Sequence, residues 1–186
     1  MFEIDDVNNG ITYENLEITF NNIENITFNK CTFKNIVFNN SNFKNIEFNN
    51  CILENTTFLT NYLKEIKINN SKIINTSIID SKIDNVVFSD TLIIYLALND
   101  NVIYNSLFDI CEIKEIKLVN NNVIKTNFKY SHIDIITLVD NKITTFLLNT
   151  SKVGSLDSDI NTLENITLSL EQILDYIKEI GIIIRD

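Results

Sequence analysis

From Tyr13 to Val153, every fifth residue of the chain is large and apolar. The series runs through Ile18, Ile23, Phe28, Phe33 and Phe38 to Ile143, Leu148 and Val153, 29 positions without a slip. In a chain that is 45% hydrophobic, such a run arises by chance on the order of once in ten billion trials, so the repeat is real. A period of five fits neither a helix nor a plain strand. A helix would rotate each member by about 140° relative to the last and smear the set around its surface. A straight strand would send alternate members to opposite faces. A chain that turns a corner every five residues keeps all of them inside. Four sides close one coil in 20 residues, and coils stack at the ~4.8 Å spacing of paired strands, giving about seven coils in a rod ~35 Å long.

The composition agrees with corners. Asn is present 31 times, and its side chain tolerates turn backbones and bonds its own main chain. There is no Pro, which would remove a donor from the inter-coil ladder. Two residues before the apolar centres, positions 31, 41, 51, 61, 71 and 81 read Cys, Ser, Cys, Asn, Ser and Ser. Small side chains there point inward between the large ones. On alternate units the same position is large, as at Leu16, Ile26, Ile36, Ile46, Ile66, Val86, Leu96, Ile116, Ile136 and Phe146. That overfilling predicts that two opposite sides bow or change turn type.

Units such as Cys31-Thr-Phe33-Lys-Asn35, Ser41-Asn-Phe43-Lys-Asn45 and Ser81-Lys-Ile83-Asp-Asn85 resemble those of the pentapeptide-repeat family. The resemblance covers residues 13–155. It implies an all-β fold, a right-handed quadrilateral parallel β-helix. The remaining segments read as an N-terminal cap, 1–12, with Asn8-Asn9-Gly10 as a turn signal forming a short strand or hairpin, and a C-terminal cap or dimerisation segment, 156–186. Within the latter, 169–181 reads as a helix. Ser169 and Gln172 have capping-box spacing, Gly181 is the stop, and Leu170, Ile173, Leu174, Ile177 and Ile180 make one apolar stripe. The resemblance implies that such a segment forms a homodimer contact; folding down as a monomeric cap would bury the stripe equally well. Ile182-Ile183-Ile184 reads as a terminal strand.

The formal net charge is −10. Residues 13–155 carry 15 acids and 13 lysines, so the excess belongs to the two ends. Direct nucleic-acid binding is therefore disfavoured. No apolar run reaches the ~18 residues of a membrane helix. The acidic start lacks the basic region of a signal peptide, which makes the cytoplasm the expected location.

Few residues suggest chemistry. Cys31, Cys51 and Cys111 are separated by multiples of 20 and read as a buried small-residue column, with no metal or disulfide assigned. His132, directly before a centre, reads as a surface histidine. Asp80, Asp100 and Asp140 share one corner column, where turn preference explains them without a cation. No Gly-rich loop, zinc-protease motif or nucleophile–base pair is present, so the chain reads as non-catalytic, with no cofactor. The coil 91–110 carries hydrophobes where solvent is expected: Leu92, Ile94, Tyr95, Ala97, Val102, Tyr104, Leu107 and Ile110. We take Leu92, Ile94, Tyr95, Val102, Tyr104 and Leu107 as the candidate protein-interaction surface. The expected role is a rigid protein-binding scaffold for an unnamed partner. The alternative, implied by the same family resemblance, is a DNA-mimicking regulator of DNA gyrase or another topoisomerase, as in quinolone resistance.

Overall fold

The computed structural model describes residues 5–19, 22–159 and 162–181. Every strand pairing is parallel and joins residues 20 apart, as the five-residue period demands. One column of pairs begins at Val7↔Thr27 and ends at Leu147↔Thr167, eight turns later. The ladder thus exceeds the expected seven coils because it takes in a segment at each end. Val7–Asn9 is a strand laid parallel on Thr27–Asn29, not a hairpin. Ile166–Thr167 adds the last rung on Phe146–Leu147. Among the described residues, the strands form two sheets of 12 and 11, each covering two adjacent sides of the coil.

Of the 29 period-five residues, all but Val153 are buried, and Val153 is half-buried. Phe33, Phe108 and Phe128 are among the largest fully enclosed side chains.

The two kinds of corner differ. At residues 30, 40, 50 and onward by tens to 140, every described corner has positive φ, whatever its side chain: Asn40, Thr60 and Asp100, but also Lys30, Ile110 and Tyr130. Here the strands stop. The inward residue that follows supplies the hydrogen bonds the ladder lacks. Ser81 N–H donates to Asn101 Oδ1, Asn101 N–H to Asn121 Oδ1 and Asn121 N–H to Asn141 Oδ1, each at 2.9 Å. In return Asn101, Asn121 and Asn141 donate through Nδ2 to the carbonyls of Ile78, Leu98 and Leu118 at 2.8, 2.8 and 2.9 Å. These small residues are therefore a buried polar ladder as well as space-fillers, and an Ala in their place would orphan main-chain groups.

At the intervening corners the inward residue decides. Where it is Ile36, Ile46, Ile66, Val86, Ile116 or Ile136, one eight-residue strand runs through the bend, as in Thr32–Asn39 and His132–Val139. Where it is Thr56, Thr76, Ser106 or Thr126, the strand breaks in two. A bulky β-branched side chain favours extended backbone. Thr is branched too, but Thr56 and Thr76 turn their hydroxyls to the carbonyls of Glu54 and Ile74, each at 3.4 Å, competing with the ladder. Leu96 and Phe146, large but unbranched, also sit at breaks, whereas Leu16 and Leu156 in the end turns lie within the continuous strands Thr12–Ile18 and Lys152–Ser158. A change of corner conformation follows position along the rod rather than bulk: the corners before Ile36, Ile46, Ile66 and Val86 keep positive φ, while those before Leu96, Ile116, Ile136 and Phe146 do not. In mid-solenoid, large and small inward residues alternate half a turn apart (Ile46, Thr56, Ile66, Thr76, Val86), so that each large one is opposed by a small one.

The helix spans Leu170–Glu179 with Ser169 as N-cap, and both bonds of the capping box with Gln172 are made. Gly181 ends it at φ +82°. Gln172 Nε2 donates to the carbonyls of Leu148 and Ser151 at 2.9 and 2.8 Å, pinning the helix to the last turn. Gly154 lies against this end of the coil, and a Cβ there would meet the Asp134 carbonyl at 2.7 Å. The strand expected at Ile182–Ile184 lies outside the described residues.

Candidate interaction surfaces

Positions flanking each buried centre point outward, so every lateral face is a double column of side chains on a rigid ladder. The six residues singled out from coil 91–110 fall on three of these faces. Leu92, Ile94 and Tyr95 share one side, in the sheet with Lys72 and Glu112. Val102 and Tyr104 lie half a turn away in the other sheet, beside Lys82 and Asp84. Leu107 stands on a third side, paired with Val87 and Asn127. They form a belt around the rod. Only Ile94 is exposed, at 38%; the other five are half-buried, and Ala97 is buried.

A more coherent surface includes residues that the periodicity did not flag. The face carrying Leu92, Ile94, Glu112, Lys114, His132 and Asp134 is edged by the corners Ile110 and Tyr130 on one side and Tyr95 and Ile135 on the other. Ile110, Tyr130 and Ile135 are 54%, 64% and 43% exposed. Their signal was legible: each occupies a corner, where Asn is the commonest residue of this chain.

Between these edges lies a charged cluster. His132 Nδ1 is 3.4 Å from Glu112 Oε1, and Nε2 is 3.4 Å from Asp134 Oδ1. Lys114 Nζ reaches Glu112 Oε1 at 3.3 Å and Asp134 Oδ2 at 3.1 Å, contacts that hold its ammonium pKa up. Elsewhere, opposite charges also pair between neighbouring turns: Lys67 with Glu47 at 2.8 Å, Lys44 with Glu24 at 3.7 Å, and Lys34 with Glu54 at 4.0 Å. The line of like charge at Asp80, Asp100 and Asp140 is interrupted by Asn120, whose amide donates to Asp100 at 2.6 Å.

The helix contacts the rod through Gln172, Tyr176 and Glu179; Glu179 Oε1 accepts from Ser155 Oγ at 2.7 Å. That orientation leaves the expected stripe largely outward. Leu170, Ile173 and Ile180 are exposed, while Leu174 and Ile177 are half-buried.

The three thiols are free and buried. Burial pushes Cys51 and Cys111 up to about 11, the reverse of an activated nucleophile. Among the described residues, no helix is long and apolar enough to cross a membrane.

No curated protein matches the chain in sequence. Among solved structures, a trypsin-treated form of QnrB1, a plasmid-mediated fluoroquinolone resistance protein, is 16% identical, with 96% of this chain and 97% of that one covered and a TM-score of 0.43. HetL, a pentapeptide repeat protein involved in heterocyst differentiation regulation from the cyanobacterium Nostoc sp. strain PCC 7120, is 8% identical over 86% of this chain and 90% of its own, with a TM-score of 0.31. The family model described as a pentapeptide repeat region matches residues 41–118, inside the unbroken register. Over that stretch the chain is similar to the pentapeptide-repeat family, and its repeat closes into 20-residue turns.

Proposed function

We propose that the chain is a non-catalytic scaffold that binds another protein through its lateral faces. The observation that carries this reading is the framed face: Ile94, Ile110, Tyr130 and Ile135 stand exposed around a charged centre on rigid strands. Apolar residues rimming polar ones on an unyielding surface suit a protein partner. The coil 91–110 remains part of the proposed surface as a belt. A homodimer through the helix belongs to the same proposal, supported by the outward stripe of Leu170, Ile173 and Ile180. A cytoplasmic setting is supported by the three unpaired thiols.

The test is a pull-down comparing wild-type bait with Leu92→Glu/Tyr104→Glu and with Ile110→Glu/Tyr130→Glu. Loss of a partner with the second pair alone places binding on the framed face; loss with the first alone places it on the belt. Recovery of the same proteins by all three baits overturns the reading. Light scattering of wild type against Ile173→Glu/Ile180→Glu tests the dimer.

The second reading is a gyrase-directed regulator. Its requirement for a DNA-like negative surface is poorly met, because charges alternate along the columns and the acidic line is confined to one interrupted corner. A regulator that meets gyrase through apolar contacts would escape that objection. Loss of supercoiling at low micromolar protein would put this reading first.

A further inference from the structure

We propose that Glu112, His132 and Asp134 form a binding site for a divalent transition-metal ion of the zinc class. The backbone fixes the three positions: Glu112 and His132 are register partners on adjacent turns, and Asp134 follows His132 by two residues on the same outward face. Their ligand atoms all lie within 4.8 Å of one another. Ligands around a tetrahedral ion at 2.0–2.2 Å stand roughly 3.4 Å apart, so side-chain shifts of about 1 Å close the set. The side chains are 40–48% exposed and free to make such shifts.

The present contacts call for a cation. Both ring nitrogens of His132 face carboxylate oxygens, and ionised carboxylates only accept hydrogen bonds. A metal ion bound to one ring nitrogen and to one oxygen of each carboxylate would meet that call, as a second ring proton also would. One imidazole with two carboxylates suits zinc-class ions, whereas Mg2+ and Ca2+ take all-oxygen shells. Lys114, bridging the same two carboxylates, is the competitor that the ion displaces. Water, or a side chain from a partner seated between Ile110 and Ile135, would complete the coordination.

His132 is the single histidine of the chain, so its ring proton resonances report on the site without ambiguity. Titrating the full chain with ZnCl2 should shift these signals to saturation at one equivalent, while MgCl2 leaves them in place. By calorimetry, His132→Ala and Glu112→Gln should each weaken Zn2+ binding more than about tenfold. Lys114→Met should tighten it about fivefold, the effect of removing one nearby charge in water. All three positions are exposed, and unchanged circular dichroism verifies the fold. Ring signals unmoved at ~1 mM ZnCl2, equal response to MgCl2, wild-type affinity in His132→Ala, or weaker binding in Lys114→Met would each overturn the proposal.

Discussion

The first and last turns of the rod obey one register and fill it in two ways. Toward the N-terminus, rings stand on all four sides. Phe33 meets Tyr13, Phe28, Phe38 and Phe48, with Phe28 and Phe48 at 88° and 76° to it, while like columns stack, as Phe38 does on Phe58 at 22°. Toward the C-terminus, the aromatics among the period-five centres keep to one column, with Phe146 beside it. Phe88, Phe108 and Phe128 stack at 4.6 and 4.4 Å and 3°, and the other sides are aliphatic. The corners diverge as well. In the early turns Asn15, Asn35, Asn55 and Asn75 all have positive φ and join in an exposed amide ladder. In the same column Tyr95, Glu115 and Ile135 leave that conformation. The difference teaches that the buried centre specifies the turn, while the corner is negotiable at every second position and fixed at the others.

The largest expected effect follows from the ring networks. Phe33→Ala should cost about 5 kcal/mol and Phe108→Ala about 3 kcal/mol in denaturant unfolding, because the first loses more ring contacts. Equal costs would mean that the two cores are energetically alike. Next comes the inner ladder. Asn121→Ala orphans the Asn101 amide and the Leu98 carbonyl and should cost about 3 kcal/mol, against about 1 kcal/mol for Asn75→Ala at an outer corner. At the corners, Ile110→Asn should stabilise by about 1 kcal/mol, relieving a branched side chain held at φ +54°. Ile135→Asn, where φ is not positive, should bring no gain in thermal unfolding.

The hydroxyls inside the late turns give a subtler contrast. Ser106 Oγ and Thr126 Oγ1 have no hydrogen-bond partner and line a void of about 10 Å³ beside Ile103 and Phe108. Thr126→Val should therefore stabilise by about 1 kcal/mol, whereas Thr76→Val, which loses bonds to Leu53 and Ile74, should not. Alkali should act most gradually and on both halves. Cys51 and Cys111 ionise near 9.0 when unfolded but are raised by burial to about 11 when folded. Their contribution is full below about pH 9 and is lost as pH climbs toward 11, since the unfolded chain releases those protons first. Burial raises the Tyr13 phenol too, in the same direction. Cys51→Ser/Cys111→Ser should flatten that decline in a pH series of urea midpoints.

Much of this was legible in the residues. The register named the core from Tyr13 to Leu148, and Ser169 with Gln172 named the helix start, because both patterns are local and repeat the same physics. The candidate surface was less legible. Leu92 and Tyr104 are close in sequence and lie on opposite sides of the rod, half a turn apart. Glu112 and His132, 20 residues apart, touch. Tyr130 and Ile135 carried a signal only as departures from the Asn that is commonest at corners.

By itself, the order of side chains determined that this chain coils every 20 residues and which one in five is enclosed, since burying a large apolar group at each step leaves one solution for a period of five. Only the tertiary structure decided which corners bend and which break, which polar group serves which main-chain donor one turn away, and which side of the helix meets the rod. Those outcomes depend on what the neighbouring turn presents at each level, and a neighbour 20 residues distant is invisible until the coil has closed.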